Sequence, residues 1–243
     1  MKNIRVLPDA DALAAAVADA LITATLEAQR TRGQADLVLT GGGVGIATLA
    51  AVRDDPRCSD IDWSRVDLWW GDERYLPSGD PERNETQARQ ALLDFLPLDP
   101  SRVHPMAAAG DDADADARGY ADELAAHASS GEVAPAFDVL MLGMGPEGHV
   151  ASLFPDSPGV HSGSAVVAVH DSPKPPPTRI SMTLPTIRAA RAVWLITAGE
   201  AKAEAVAQCV NPATNPTDCP AAGAEGRETT TLWIDAAAAA LLP

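Results

Sequence analysis

Lysine is nearly absent from the sequence: Lys2, Lys174 and Lys202 are the only three in 243 residues. With arginine the basic residues reach 18 against 34 acidic ones, a formal charge of −16. So acidic a chain repels nucleic acid and anionic lipid, and neither is expected as a partner. If the ligand is an anion, a few cations must be concentrated against that field, and each lysine is then worth locating. Cysteine is also scarce. Cys58, Cys209 and Cys219 are odd in number and show no C-x-x-C spacing, which argues against a zinc site or a disulfide framework and leaves a Cys209 to Cys219 bridge as the one open pairing. No stretch approaches the roughly 18 apolar residues of a membrane span, and the N-terminal MKNIRVLPDA lacks the apolar centre of a secretion signal. A cytoplasmic, reducing location is expected.

Several reaction signatures are missing too. There is no G-x-S-x-G elbow and no serine or cysteine paired locally with a histidine, so an acyl-enzyme is not indicated. Neither H-E-x-x-H nor H-x-H occurs, so no metal is expected. The glycines that follow Thr40 fit neither the dinucleotide fingerprint nor the Walker A loop, so they give no ground for a nucleotide cofactor. A hydrolase with this inventory is expected to use water directly.

What is present suits a folded domain. The AVILMFWYC set makes up 46% of the chain and charged residues 21%, and the length fits one domain over 1–243. Short apolar runs at 4–7, 36–40, 66–70, 137–142, 165–169, 178–184, 192–197 and 229–234 alternate with segments of helical spacing at 10–32, 45–54, 84–95, 113–128 and 200–210. Asp9 as N-cap and Gly33 as terminator frame the first helix, with Leu13, Val17 and Leu21 on one face. The alternation predicts an α/β fold, a mostly parallel Rossmann-like sheet covered by helices on both faces. In such sheets the ligand crevice lies at the carboxyl ends of the strands. Two proline-rich patches, 172–178 and 211–226, read as loops, the second as an exposed excursion before the last strand.

Four strand-following loops carry the chemistry. In 40-TGGGVG-45 the backbone amides of Gly42 and Gly43 lead into a helix, which makes either a tight turn or an anion cradle. In 71-GDERYLPSGDPERN-84 the charges of Asp72, Glu73 and Arg74 form either a self-contained ion-pair cluster or, at a strand end, two carboxylates and a guanidinium facing the crevice. The stretch 143-GMGPEGHVASLFP-155 presents His149 after glycines that bring the backbone close to any ligand. A histidine at a helix start tends to the neutral form a general base needs, and His104, His127, His161 and His170 lack such surroundings. Last come Arg179 in 178-TRIS-181 and Lys202 in 199-GEAKA-203. In the first turn of a helix the Lys202 ammonium is disfavoured by the macrodipole unless an anion lies nearby.

Taken in order, the glycine loop, G-D-E-R with Asn84 downstream, the 143–155 motif, T-R-I-S and G-E-A-K-A resemble the 6-phosphogluconolactonase family over about residues 4–235. The related glucosamine-6-phosphate deaminases share the sheet topology but continue differently where this chain has A-S-L-F-P. The resemblance implies hydrolysis of a small sugar-phosphate lactone, 6-phospho-D-glucono-1,5-lactone, in the oxidative pentose phosphate pathway, without metal or nucleotide. It implies that His149 activates water, Arg74 holds substrate or the oxyanion, Asp72 orients the site, and Gly42, Gly43, Arg179 and Lys202 bind the phosphate. Two departures stand out: the family's S-G-G-S/T-x-P loop is here 40-TGGGVG-45, and the usual aspartate before Gly148 is Glu147. Two other readings are a deaminase or isomerase of glucosamine 6-phosphate and a noncatalytic sugar-phosphate sensor. Against the sensor stand the charge of −16, the retained His149 and the lack of a helix-turn-helix before residue 4. Oligomeric state has no signal in the sequence.

Overall fold

A computed structural model describes residues 2–242. Ten strands run β1 Asn3–Leu7, β2 Ala35–Leu39, β3 Val66–Trp70, β4 Asp72–Arg74, β5 Val103–His104, β6 Val139–Gly143, β7 Val166–Val169, β8 Arg179–Met182, β9 Ala192–Thr197 and β10 Thr229–Asp235. The α-helices are α1 Ala10–Arg32, α2 Gly43–Asp54, α3 Asn84–Ala91, α4 Ala113–His127, α5 Leu184–Ile187, α6 Ala203–Val210 and α7 Pro220–Gly223. Seven strands form a parallel sheet in the order β1-β10-β9-β6-β2-β3-β5.

Strand alternation sends side chains to both faces of this sheet, and both are covered. Leu37, Leu39, Leu68, Trp70 and Met141 pack with Leu13, Val17, Leu21, Leu49 and Val52 of α1 and α2. Val38, Trp69, Leu140 and Leu142 pack on the other face with Tyr120 and Leu124 of α4 and Val206 of α6. Fully burying one such side chain contributes about 1.5–3 kcal/mol. The first helix has its expected bounds: Asp9 accepts from Ala12 N at 2.8 Å, and Gly33 at φ +79° returns its N–H to Gln29 O.

The structure corrects several sequence expectations. The 72–74 segment is a strand, and β4, β8 and β7 form a second, antiparallel sheet that shares the α4 face. In the β4–β8 register Asp72 lies opposite Ser181 and Arg74 opposite Arg179. The helix expected over 84–95 stops at Ala91 and gives way to a 3-10 turn at Leu93–Phe95. Residues 211–226 are an exposed excursion only in their first half: 211–213, 215 and 218 are exposed, whereas Cys219, Pro220, Ala221, Gly223 and Ala224 are buried, and Ala221 N donates to Gly148 O at 2.9 Å. Cys209 and Cys219 are both buried and unbridged. Among the described residues no helix is long and apolar enough to cross a membrane.

Candidate active site

Loops leaving β2, β3, β6 and β9 meet the small sheet at the carboxyl ends of the parallel strands, as the crevice rule requires. A cavity of about 190 Å³ there is lined by Gly42, Asp72, Arg74, His149, Arg179 and Lys202, six of the seven residues singled out from sequence, together with Asn84. Gly43 lines an adjoining hollow of about 280 Å³ that shares Gly41, Gly42 and Lys202 with the first. At that end α2 begins with Gly42 as an N-cap without a side chain to bond its first amides, which leaves N–H groups directed outward.

Strand geometry sorts the 72–74 charges. Asp72 and Arg74 face the cavity, whereas Glu73 points the other way, because successive residues of a strand alternate. The expected pair of carboxylates in the crevice is therefore a single one. Glu73 is buried and accepts from Asn84 N at 2.7 Å and Glu85 N at 2.9 Å, capping α3 from outside. Burial pushes its pKa up, against those backbone bonds and the nearby Arg83.

Asn84, quoted in the sequence motif but given no role there, ties the wall together. Its Nδ2 donates to Asp72 O at 2.8 Å, and its Oδ1 accepts from Arg74 Nη1 at 2.8 Å. Ser152, also passed over, is fully buried and donates from Oγ to Asp72 Oδ2 at 2.7 Å, while its N–H donates to Ser181 Oγ. One oxygen of Asp72 is thus occupied and the other faces Asn84 and the cavity.

His149 does not open a helix. Residues 144–157 are irregular, pinned by isolated bridges of Val150 to Met144 and Leu153. Its imidazole is packed against the Phe154 ring at 4.5 Å, with Nδ1 buried and 3.2 Å from Glu147 Oε1, in ion-pair range but without hydrogen-bond alignment. The imidazole pKa is lowered all the same. Burial is the largest cause and the Lys174 ammonium adds to it, outweighing Glu147 and Asp72. Gly148 holds this turn at φ +85°, a conformation that favours glycine, with Cys219 directly behind it.

The late cations differ from expectation in their surroundings. Lys202 ends a 3-10 turn and caps α6 rather than lying within its first turn, and burial lowers the pKa of its half-buried ammonium. Arg179 is buried and spends Nε and Nη2 on the carbonyls of Lys174, Pro175 and Pro176. Of the other histidines, His104 is buried but lies elsewhere, stacked on Trp69 and between Asp67 and Glu123. Among the described residues no cluster of three or more His, Cys, Asp or Glu side chains is arranged to hold a metal.

Comparison with known proteins gives curated relatives that share one name, and solved structures that share one fold and include a monomeric glucosamine-6-phosphate deaminase at a TM-score of 0.82 and 22% identity, covering 99% of this chain and 100% of that one. The family described as glucosamine-6-phosphate isomerases/6-phosphogluconolactonase matches residues 8–233. The chain is 56% identical to the 6-phosphogluconolactonase of Streptomyces coelicolor, over 97% of this chain and 92% of that protein. It is 52% identical to that of Mycobacterium tuberculosis, over 99% and 98%. The solved structure of the Trypanosoma brucei 6-phosphogluconolactonase has the same fold, with a TM-score of 0.87 at 24% identity, covering 100% of this chain and 99% of that one.

Proposed function

The chain belongs to the glucosamine-6-phosphate isomerase/6-phosphogluconolactonase family, and we propose that it hydrolyses 6-phospho-D-glucono-1,5-lactone to 6-phospho-D-gluconate through water activated by His149. Like its relatives at more than half identity, it is an enzyme of the lactonase kind, a carboxylic ester hydrolase. The observation that carries the mechanism is the convergence of one imidazole of lowered pKa with Asp72, Arg74, Arg179 and Lys202 around a single cavity.

Because Nδ1 is buried beside Glu147, Nε2 is the nitrogen left for the cavity. In the neutral ring Nδ1 keeps the proton and Nε2 accepts one from water as its oxygen attacks the lactone carbonyl. The negative charge passes to the carbonyl oxygen, where the Arg74 guanidinium, held by Asn84, can stabilise it. Glu147 faces the imidazolium so formed. Collapse breaks the bond from the carbonyl carbon to the ring oxygen, which takes the proton back from Nε2. The carboxylic acid product then ionises and releases a proton. At the other end the outward amides at Gly42 and Gly43, with Lys202 and the free Nη1 of Arg179, suit the phosphate. Asp72, fixed by Ser152, orients the wall between.

The test is acid release, followed in a pH-stat, from lactone generated in situ. Wild-type protein is expected to accelerate it and His149→Ala to lose that acceleration while keeping its melting curve. Ammonia release from glucosamine 6-phosphate without acid release from the lactone would overturn the assignment.

A further inference from the structure

The loop between β7 and β8 reads SPKPPP over 172–177 and carries one of the chain's three lysines to Glu147, beside the site. Its three successive prolines have no N–H and a restricted φ, so the loop is stiff but cannot donate a backbone bond at those positions. Ser172 closes it within itself, its N–H donating to Pro177 O at 2.9 Å and its Oγ to Lys174 O at 3.0 Å, and Arg179 holds it from outside. Nε donates to Pro176 O at 3.3 Å, and Nη2 donates to the carbonyls of Lys174 and Pro175 at 3.1 and 3.0 Å. The backbone of Lys174 is thereby anchored by a guanidinium only 6% exposed, and charge-assisted bonds of this kind are the strong ones.

From that anchor the Lys174 ammonium reaches Glu147, 2.8 Å from Oε1 and 3.0 Å from Oε2. The same Oε1 lies 3.2 Å from His149 Nδ1. A single carboxylate is therefore shared between an ammonium and an imidazole that approach it from different loops.

We infer that Lys174 is a positioning residue for the base: carried in on the proline loop, it holds the Glu147 carboxylate and partly neutralises it, so that His149 stays uncharged and able to accept a proton. The inference rests on the reading of His149 as the base. A carboxylate facing an imidazole favours the imidazolium, which is the wrong ground state for a base. Glu147 is needed once the imidazolium forms, and Lys174 limits how strongly it acts before then. The other charged groups around the ring are Asp72, which favours the imidazolium, and Arg74, Arg179 and Lys202, which line the same cavity. Among these cations Lys174 is the one bonded to the carboxylate that faces Nδ1. The same arrangement gives Arg179 a task besides the phosphate, since it fixes the loop that carries Lys174.

Two measurements test this. The first is the NMR titration of the His149 ring in protein without substrate, and the second is the pH profile of kcat/KM. Lys174→Met is expected to raise the imidazole pKa by about half a unit to one unit, as removal of a neighbouring charge does. The acid limb of the profile should move to higher pH by the same amount, with KM little changed, and Lys174→Arg should restore the wild-type curve. In a Glu147→Gln background the Lys174→Met substitution should move the titration much less, because the carboxylate that transmits it is gone. Lys174 is half-buried at the surface and belongs to neither core cluster, so these substitutions leave the core intact. An unmoved ring titration in Lys174→Met would overturn the inference. A raised KM with titration and acid limb in place would do so too, making Lys174 a substrate contact. A shifted titration in a protein with no lactonase activity would support the coupling while removing the reading it serves, so the two failures are distinguishable.

Discussion

Gly145 and His149 are interlocked. Gly145 N donates to His149 O at 2.9 Å, and a methyl group on Gly145 would overlap the imidazole at Nδ1 and Cε1 and come within 2.7 Å of Glu147 Oε2. The bare backbone is therefore the wall against which the ring is set. Gly145→Ala must push the ring aside, and a displacement near 1 Å costs on the order of 100-fold in rate. The expected result is that loss in kcat, with an ordinary melting curve. Wild-type kcat would show that the ring's position is not what the reaction needs.

The pH dependence follows from the buried imidazole. Its pKa lies below the usual 6.5, chiefly through burial, and in the proposed role of base the ring must be neutral to act. Activity should persist below pH 6.5 and fall only as the pH drops through the lowered pKa. In that window the unfolded chain binds a proton that the folded site refuses, so the stability contributed by this group also falls as pH falls. A kcat/KM profile whose acid limb has its midpoint at or above 6.5 would contradict the assignment.

Lys202 is proposed to bind the phosphate, which gives it a selective test. A charge-assisted bond contributes about 1.5–3 kcal/mol, so Lys202→Ala should raise KM for the phosphorylated lactone roughly 10- to 100-fold. For D-glucono-1,5-lactone, which has no phosphate, KM should be unchanged. Equal effects on both substrates would remove Lys202 from the phosphate end.

The turn at Gly148 is tight for two separable reasons. Its φ of +85° disfavours any side chain, and a Cβ there would lie 2.5 Å from Cys219 Sγ. Gly148→Ala should lower stability by about 2 kcal/mol or more in denaturant melts, from strain and overpacking together. Adding Cys219→Ala should recover only the packing share. Full recovery would mean that the backbone is not strained.

Much of this was legible in sequence, for physical reasons that also mark where legibility ends. Helix α1 could be bounded because a capping aspartate and a terminating glycine flank a long periodic segment, and β6 and β9 because buried parallel strands are continuously apolar. Strand β4 could not be read: it is three charged residues, so its alternation between cavity and helix α3 has no hydrophobic signature. Glu73 was misplaced with it. The helix expected at His149 is missing because Val150 turns back to bridge Met144 and Leu153. Asn84, Ser152 and Lys174 act by reaching other segments, between 10 and 80 positions away along the chain, and local pattern has no means of showing such contacts. The crevice itself was legible because it follows from strand direction alone.

In the small sheet Arg74 and Arg179 lie directly opposite one another, and both face the cavity. Like charges in that register push neighbouring strands apart. Asp72, which faces the same cavity, offsets that repulsion at Arg179, and the phosphate of the proposed substrate would offset it further. Folding and occupancy are coupled: ligand that binds only the folded chain raises its stability as RT ln(1 + [L]/Kd). An anionic substrate at the proposed site is in that sense a counter-ion of the architecture, so that the stability of the small sheet and the proposed activity draw on the same pair of arginines.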